Sequence, residues 1–211
     1  MQVASFTFNE FSENTYVLYD ETKQCAIIDP GCFKAHEQKE LTDFIEQHEL
    51  NPVLLVNTHC HIDHILGNSY ISGKYNLALH LHQEELKTYH DTGRWAQFFG
   101  MVTDDIPQNR VYINEGDTLR FGNTTLQVLF TPGHSVASLS FYDPKSGQLI
   151  SGDVLFYESI GRTDLPGGNF ETLISSIKTK LFTLPNQTKV YSGHGPATSI
   201  GHEKMHNPFL H

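Results

Sequence analysis

The seven residues Thr58-His59-Cys60-His61-Ile62-Asp63-His64 constrain this chain more than any other stretch. They follow almost directly on Val53-Leu54-Leu55-Val56, a four-residue apolar run that reads as a strand buried on both faces. Three imidazoles and a carboxylate therefore begin where a core strand ends, and the fold has to seat them at the rim of that core. In extended backbone, residues two apart point the same way, so His59 and His61 can share one ion. If the chain turns helical near Asp63, then Asp63 and His64 diverge from that pair and can hold a second. Neutral imidazoles around a carboxylate are the ligand chemistry of zinc and iron.

The rest of the chain repeats this arrangement of strands that end in polar turns. Short apolar or alternating runs at residues 3–8, 15–19 and 25–28 read as antiparallel strands. Leu41, Phe44, Ile45 and His48 form one helical face, and residues 83–101 read as helical with a break at Gly93. Strands follow at 118–121 and 125–130 around Gly122-Asn123, then at 138–142 and 148–151 around Lys145-Ser146-Gly147. A helix with Asn169 as N-cap carries Phe170, Leu173, Ile174, Ile177 and Leu181 on one stripe, and residues 189–192 make a last strand. Strands then helices, twice over, predict an α+β fold, a four-layer αββα sandwich. At about 150 residues per domain, the 211 residues are expected to form one domain, 1–211.

Four more segments put a polar residue just past a strand beside Gly or Pro: Ile28-Asp29-Pro30-Gly31, Thr131-Pro132-Gly133-His134, Ser151-Gly152-Asp153 and Ser192-Gly193-His194-Gly195. Taken singly, His134 and His194 read as turn residues as readily as ligands, and Asp29 reads as a side chain bracing its own turn.

Fourteen Lys+Arg against 24 Asp+Glu leave a net charge of −10, which argues against nucleic acid and anionic membrane as partners. Thirteen histidines, nearly as many as all Lys and Arg, point instead to metal or proton chemistry. Cys25, Cys32 and Cys60 are odd in number and form no CxxC pair, so a reducing compartment is expected rather than a disulfide framework. The first ten residues lack the basic and apolar regions of a signal peptide, and no apolar run approaches the ~20 residues of a membrane span. The expected location is the cytoplasm.

These segments, in this order, resemble the metallo-β-lactamase superfamily and, within it, the glyoxalase II-like hydrolases. The resemblance is carried by the His-x-His-x-Asp-His string at 59–64, Thr131-Pro132-Gly133-His134, Ser151-Gly152-Asp153 and Gly193-His194-Gly195. It implies that His59, His61 and His134 bind one metal ion, that Asp63, His64 and His194 bind a second, and that Asp153 bridges the two. Two divalent ions are implied, zinc foremost, with iron and manganese as alternatives. Residues 159–168, Ser-Ile-Gly-Arg-Thr-Asp-Leu-Pro-Gly-Gly, and the C-terminal 203–210 resemble a small single-domain branch of the family.

The resemblance implies hydrolysis of a small anionic thioester by a hydroxide bridging the ions, because zinc lowers the pKa of its water toward ~7. Asp63 and Asp153 are the implied catalytic carboxylates. The zinc β-lactamases of the superfamily lack the bridging Asp, which points away from antibiotic hydrolysis. Glyoxalase II itself carries a further helical domain and a Tyr two residues after its last metal His; here Pro196 holds that place and the chain ends 17 residues after His194. Arg162 matches a glutathione-contacting position and is the expected substrate-binding residue, with Lys204 expected near the mouth; an Arg162–Asp164 loop brace is the rival reading. Cys60 faces away from its histidine neighbours and is expected to bind no metal. Two rival functions stand beside the hydrolase. One is a persulfide dioxygenase-like enzyme using a single Fe(II) on two His and one Asp; the other is a non-catalytic metal-binding protein on the same fold.

Overall fold

The strands Glu13–Tyr19, Gln24–Ile28, Leu139–Asp143 and Gln148–Gly152 bury side chains on both faces, and a sheet with two apolar faces must be covered on each side. The computed structural model, which describes residues 1–96 and 105–210, satisfies that requirement with two six-stranded sheets. The first contains β1 (Gln2–Phe8), β2 (Glu13–Tyr19), β3 (Gln24–Ile28), β4 (Asn51–Val56), β5 (Leu79–Leu81) and β6 (Arg110–Tyr112) in that order. β1 to β3 are antiparallel, whereas β3 to β6 run parallel. The second sheet runs in the order β14 (Thr198–Ser199), β13 (Lys189–Ser192), β10 (Gln148–Gly152), β9 (Leu139–Asp143), β8 (Thr124–Phe130) and β7 (Thr118–Phe121). A small hairpin, β11 (Leu155–Phe156) and β12 (Ser159–Ile160), stands apart from both.

Alternation along the strands sorts the core into three apolar layers. Tyr16, Leu18, Ala26, Ile28 and Val56 meet Leu126, Val128, Phe141 and Ile150 between the sheets. Their neighbours Val17, Cys25, Ile27 and Leu55 turn outward and pack against Leu41 and Ile45 of α1 (Ala35–Gln47), Ile71 of α3 (Asn68–Tyr75) and Tyr89 of α4 (Glu85–Ala96). On the far side, Tyr142, Leu149 and Val190 pack under Leu173 and Ile177 of α5 (Phe170–Thr179) and Ile200 of α6 (Ile200–His206). The order of layers is helix, sheet, sheet, helix: the expected αββα sandwich.

Several local expectations are corrected. Leu55 and Val56 are fully buried, but Val53 and Leu54 are only partly so. His48 lies just past α1 as its exposed C-cap, its ring on that of Phe44 with centroids 4.0 Å apart. α4 runs through Gly93 without a break, and residues 97–101 of the expected helix lie outside the described residues. α3 and α6 were not expected, being too short to show a stripe in sequence, whereas the helical turn considered near Asp63 is present as α2 (Ile62–Ile65). Among the described residues, no helix is long and apolar enough to cross a membrane.

Strand direction gathers the chemistry at one edge. β3 and β4 are parallel; β10 and β13 are parallel, and β8 shares their direction because it and β10 are both antiparallel to β9. The loops that carry Asp29, His59, His134, Asp153 and His194 all leave the C-terminal ends of these strands. Asn14 N–H donates to Gly193 O at 2.7 Å, closing the two sheets together at that edge.

Candidate metal centre

All seven side chains read from the sequence converge. His134 Nε2 lies 2.8 Å from His61 Nδ1 and 3.2 Å from His59 Nε2, so three imidazole nitrogens face one another. Beside them, Asp63 Oδ2 lies 3.0 Å from His194 Nε2 and 3.5 Å from His64 Nε2. Asp153 stands between the two triads. Its Oδ2 is 3.4 Å from both His134 Nε2 and His194 Nε2, and its Oδ1 is 3.4 Å from His64 Nε2. Within each triad the candidate ligand atoms lie within 4.8 Å of one another. α2, which starts immediately after His61, produces this split by turning Asp63 and His64 away from the His59–His61 pair.

Hydrogen bonds behind the rings fix which nitrogen faces inward. Asp29 Oδ2 accepts from Thr58 Oγ1 at 2.5 Å and from His64 Nδ1 at 3.0 Å, and a carboxylate only accepts. His64 therefore keeps a proton on Nδ1 toward Asp29, and Nε2 is the nitrogen turned inward to the cluster. With its own proton given to Asp29, Thr58 Oγ1 accepts from His59 Nδ1 at 3.0 Å, which directs the Nε2 lone pair of His59 the same way. His134 Nδ1 donates to the carbonyl of Arg162 at 2.8 Å, with the same result. Such partners behind a ligand set its tautomer and raise its basicity. Asp29 also accepts from Thr58 N–H at 2.7 Å and from Asn57 Nδ2 at 3.2 Å, which leaves little of its carboxylate free to ligate. It holds a left-handed backbone, φ 47°, as the turn-bracing reading requires.

The residues present fit metal ions. His64 Nε2 and Asp153 Oδ1 are buried and have no hydrogen-bond partner, although both point into the cluster; a buried polar atom left unpaired is costly. Separations of 3.4–3.5 Å between these imidazoles and carboxylates exceed the 2.7–2.9 Å of a charge-assisted hydrogen bond. The electrostatics agree. Burial, reinforced by the neighbouring imidazoles, holds His59 well below its usual pKa and His61 down to about 3, so these two rings keep their lone pairs. At the second triad burial opposes charging, but Asp63 and Asp153 outweigh it, raising His64 strongly and His194 to about 10. The carboxylates there demand positive charge.

Gly193 completes the cradle. A Cβ added at this position would collide with Asp153 Oδ1 and come within 2.8 Å of His64 Cε1. Gly193→Ala is therefore expected to lower turnover by about 10²-fold, the scale of an ångström-sized misplacement, in a chain that still folds; steady-state kinetics beside a thermal melt check this.

Cys60 is fully buried, burial pushes its thiol well above the usual range, and it belongs to none of the gathered ligand groups among the described residues. Cys60→Ala is expected to cost about 1 kcal/mol of stability and leave activity nearly unchanged, as a denaturant titration and an assay would show. Arg162 makes a two-pronged fork to Asp164, 2.7 Å on each prong, and both side chains are exposed. Lys204 donates to Asn186 Oδ1 at 2.9 Å and lies over the Phe182 ring rather than standing free. Phe156 approaches His194 edge-on at 6.2 Å, whereas Tyr157 stacks on His202.

Sequence reading missed the supports on β2. Asn14 Nδ2 donates to the carbonyls of Ser192 and Gly195, and Tyr16 Oη donates to that of Ser192 at 2.6 Å, which holds the His194 loop in place. No local signal marks residues that act across so many intervening positions.

Comparison with known proteins follows the same lines. The sequence profile described as "Metallo-beta-lactamase superfamily" matches residues 9–194. The probable metallo-hydrolase YqgX of Bacillus subtilis is 40% identical over 199 residues, covering 93% of this chain and 92% of that protein. The hydroxyacylglutathione hydrolase GloC of Haemophilus influenzae is 35% identical over 212 residues, covering 100% and 98%. Among solved structures, BLEG-1 B3 metallo-β-lactamase superposes with a TM-score of 0.85 at 35% identity, covering 99% of each chain. TTHA1623 in a di-iron-bound form gives 0.87 at 35% identity, covering 99% of this chain and 100% of that one. ETHE1 from Myxococcus xanthus gives 0.80 at 29% identity, with 99% and 84% covered. Fold, gathered ligand atoms and profile agree, and the chain belongs to the metallo-β-lactamase superfamily.

Proposed function

We propose that this chain is a thioester hydrolase of the glyoxalase II type, working with two divalent ions in a single domain. The observation that carries the reading is Asp153, whose two oxygens reach rings of both triads at 3.4 Å. The likeness to GloC supports the thioester class. His59, His61 and His134 would hold one ion, Asp63, His64 and His194 the other, and Asp153 both. Divalent ions so held, zinc in our reading and iron or manganese otherwise, would supply Lewis acidity toward a carbonyl and a water acidified toward pKa ~7.

The chain's own residues do the rest. Asp29, Thr58 and the Arg162 carbonyl keep three imidazoles in the ligating tautomer. Asp63 orients the attacking water, and no Ser or Cys nucleophile is needed. Two dications, +4, would outweigh the carboxylates of Asp63, Asp153 and Asp29, −3, and give a positive spot within a chain of net charge −10, which would favour an anionic substrate.

Glutathione itself is weakly held in this reading. Arg162 is exposed and already forked to Asp164, and exposed pairs are worth about 0.2–1 kcal/mol. Arg162→Ala is thus expected to raise the KM for S-lactoylglutathione by no more than about fivefold, with kcat unchanged. S-lactoylglutathione should be turned over with a high KM and lose little when its glutathione part is truncated. A low-micromolar KM that climbs steeply on truncation would show a glutathione site we have not recognised. β-Lactams enter the same screen because one structural neighbour, BLEG-1, is named a B3 metallo-β-lactamase; faster turnover of a β-lactam than of every thioester would displace the thioester reading.

One observation favours a second reading. His59, His134 and Asp153 form a two-His, one-carboxylate set, as Asp63, His64 and His194 also do, of the kind that holds a single Fe(II). A persulfide dioxygenase-like activity would consume oxygen with a persulfide, and an oxygen electrode separates it from hydrolysis.

A further inference from the structure

Glu85, the first residue of α4, is a charged side chain that the hydrolytic site does not use, yet it is 1% exposed. Burying a carboxylate is costly unless donors surround it. Here three do. Oε2 accepts from the backbone N–H of Cys60 at 3.0 Å; Oε1 accepts from Ser135 Oγ at 2.5 Å and from Ala137 N–H at 2.9 Å. Cys60 is the residue between His59 and His61, and Ser135 directly follows His134. The three imidazoles of the first triad therefore come from two loops, and one carboxylate is bonded to both. Thr92, a little further along α4, adds a bond from its Oγ1 to the Cys60 carbonyl at 3.1 Å, so the helix holds the Cys60 backbone at both its N–H and its C=O.

We infer that Glu85 is a positioning residue that sets the spacing of the His59–His61 pair against His134, and so the affinity of the first of the two ions. This rests on the two-ion reading above. The second triad lies outside its reach: His64 is held by Asp29, and the His194 loop by Asn14 and Tyr16. The two ions should consequently respond differently to a change at Glu85. Glutamine has the same shape but only one accepting atom. Its amide N–H₂ must face either the Cys60 N–H or the Ala137 N–H, donor against donor, and one loop has to move.

The test is Co²⁺ titration of the metal-free full chain, followed by visible absorption and equilibrium dialysis. In Glu85→Gln, one ion is expected to bind about 10- to 100-fold more weakly, the usual effect of losing a partner behind a ligand, and the other within about threefold of wild type. His194→Ala, which damages the second triad, identifies the ion: the absorption band it keeps should be the band Glu85→Gln loses. Ser135→Ala, which removes one of the three bonds and disturbs packing little, should weaken the same ion by a smaller factor. A folded Glu85→Gln chain that binds both ions with wild-type affinity and spectrum overturns the inference. So does equal weakening of both ions, which would make Glu85 a general brace of the fold; if Glu85→Gln does not fold, an unchanged first ion in Ser135→Ala overturns it. Wild-type protein that binds only one Co²⁺ at saturation would instead overturn the two-ion reading itself.

Discussion

Asp153→Ala is expected to abolish turnover, with a loss of at least about 10³-fold, or about 4 kcal/mol of transition-state stabilisation. One carboxylate faces His134 of the first triad and both His64 and His194 of the second, so its removal strips a donor from both and leaves two close dications with less neutralising charge. The variant should still fold. Asp153 Oδ1 has no hydrogen-bond partner in the chain, so little structure depends on that oxygen. Kinetics and a melt on the same sample check both halves, with Cys60→Ala as the comparison from the same cluster. Equal losses in the two variants would mean that the division between ligand and bystander at 59–64 is wrong.

Asp29→Ala should produce the largest loss of stability, about 3–5 kcal/mol, because it leaves four buried donors at Asn57, Thr58 and His64 without their acceptor. Alanine is also poorly suited to the φ of 47° that Asp29 adopts. Asp29→Asn separates the two causes, since asparagine tolerates left-handed backbone but presents N–H₂ where a carboxylate oxygen stood. It is expected to recover part of the stability and little of the metal affinity, because His64 loses the acceptor that fixes its tautomer. Urea unfolding of the metal-free chain and a zinc titration read these two quantities. Full recovery of zinc affinity in Asp29→Asn would show that Asp29 serves the turn alone.

What the sequence made legible follows from how local each signal is. The strands of β1 to β3 and β7 to β10 and the stripe of α5 showed themselves because apolar periodicity is a property of neighbouring residues. The seven gathered side chains were legible for a related reason: each sits at a strand end beside Gly, Pro or another ligand, and the resemblance ordered them into two triads. Short elements such as α2, α3 and β5 carry too few residues to display a period. The supports stayed hidden for the opposite reason. Glu85 reads as an ordinary polar residue at the start of a helix, Tyr16 as an unremarked member of a strand, and Asn14 as a residue just before that strand. Their roles exist only once the topology brings β2 to the His194 loop and α4 beneath the His59 and His134 loops. Arg162 shows the limit in the other direction, since its side chain is engaged with Asp164 while its backbone carbonyl orients His134.

The central claim, that two divalent ions on one chain hydrolyse a thioester, is tested most directly by adding zinc in equivalents to metal-free protein and measuring bound metal and thioester hydrolysis in each sample. Both should rise together and level off at two ions per chain. Saturation at one ion per chain, or a chain carrying two ions that hydrolyses no thioester in the screen, would contradict it.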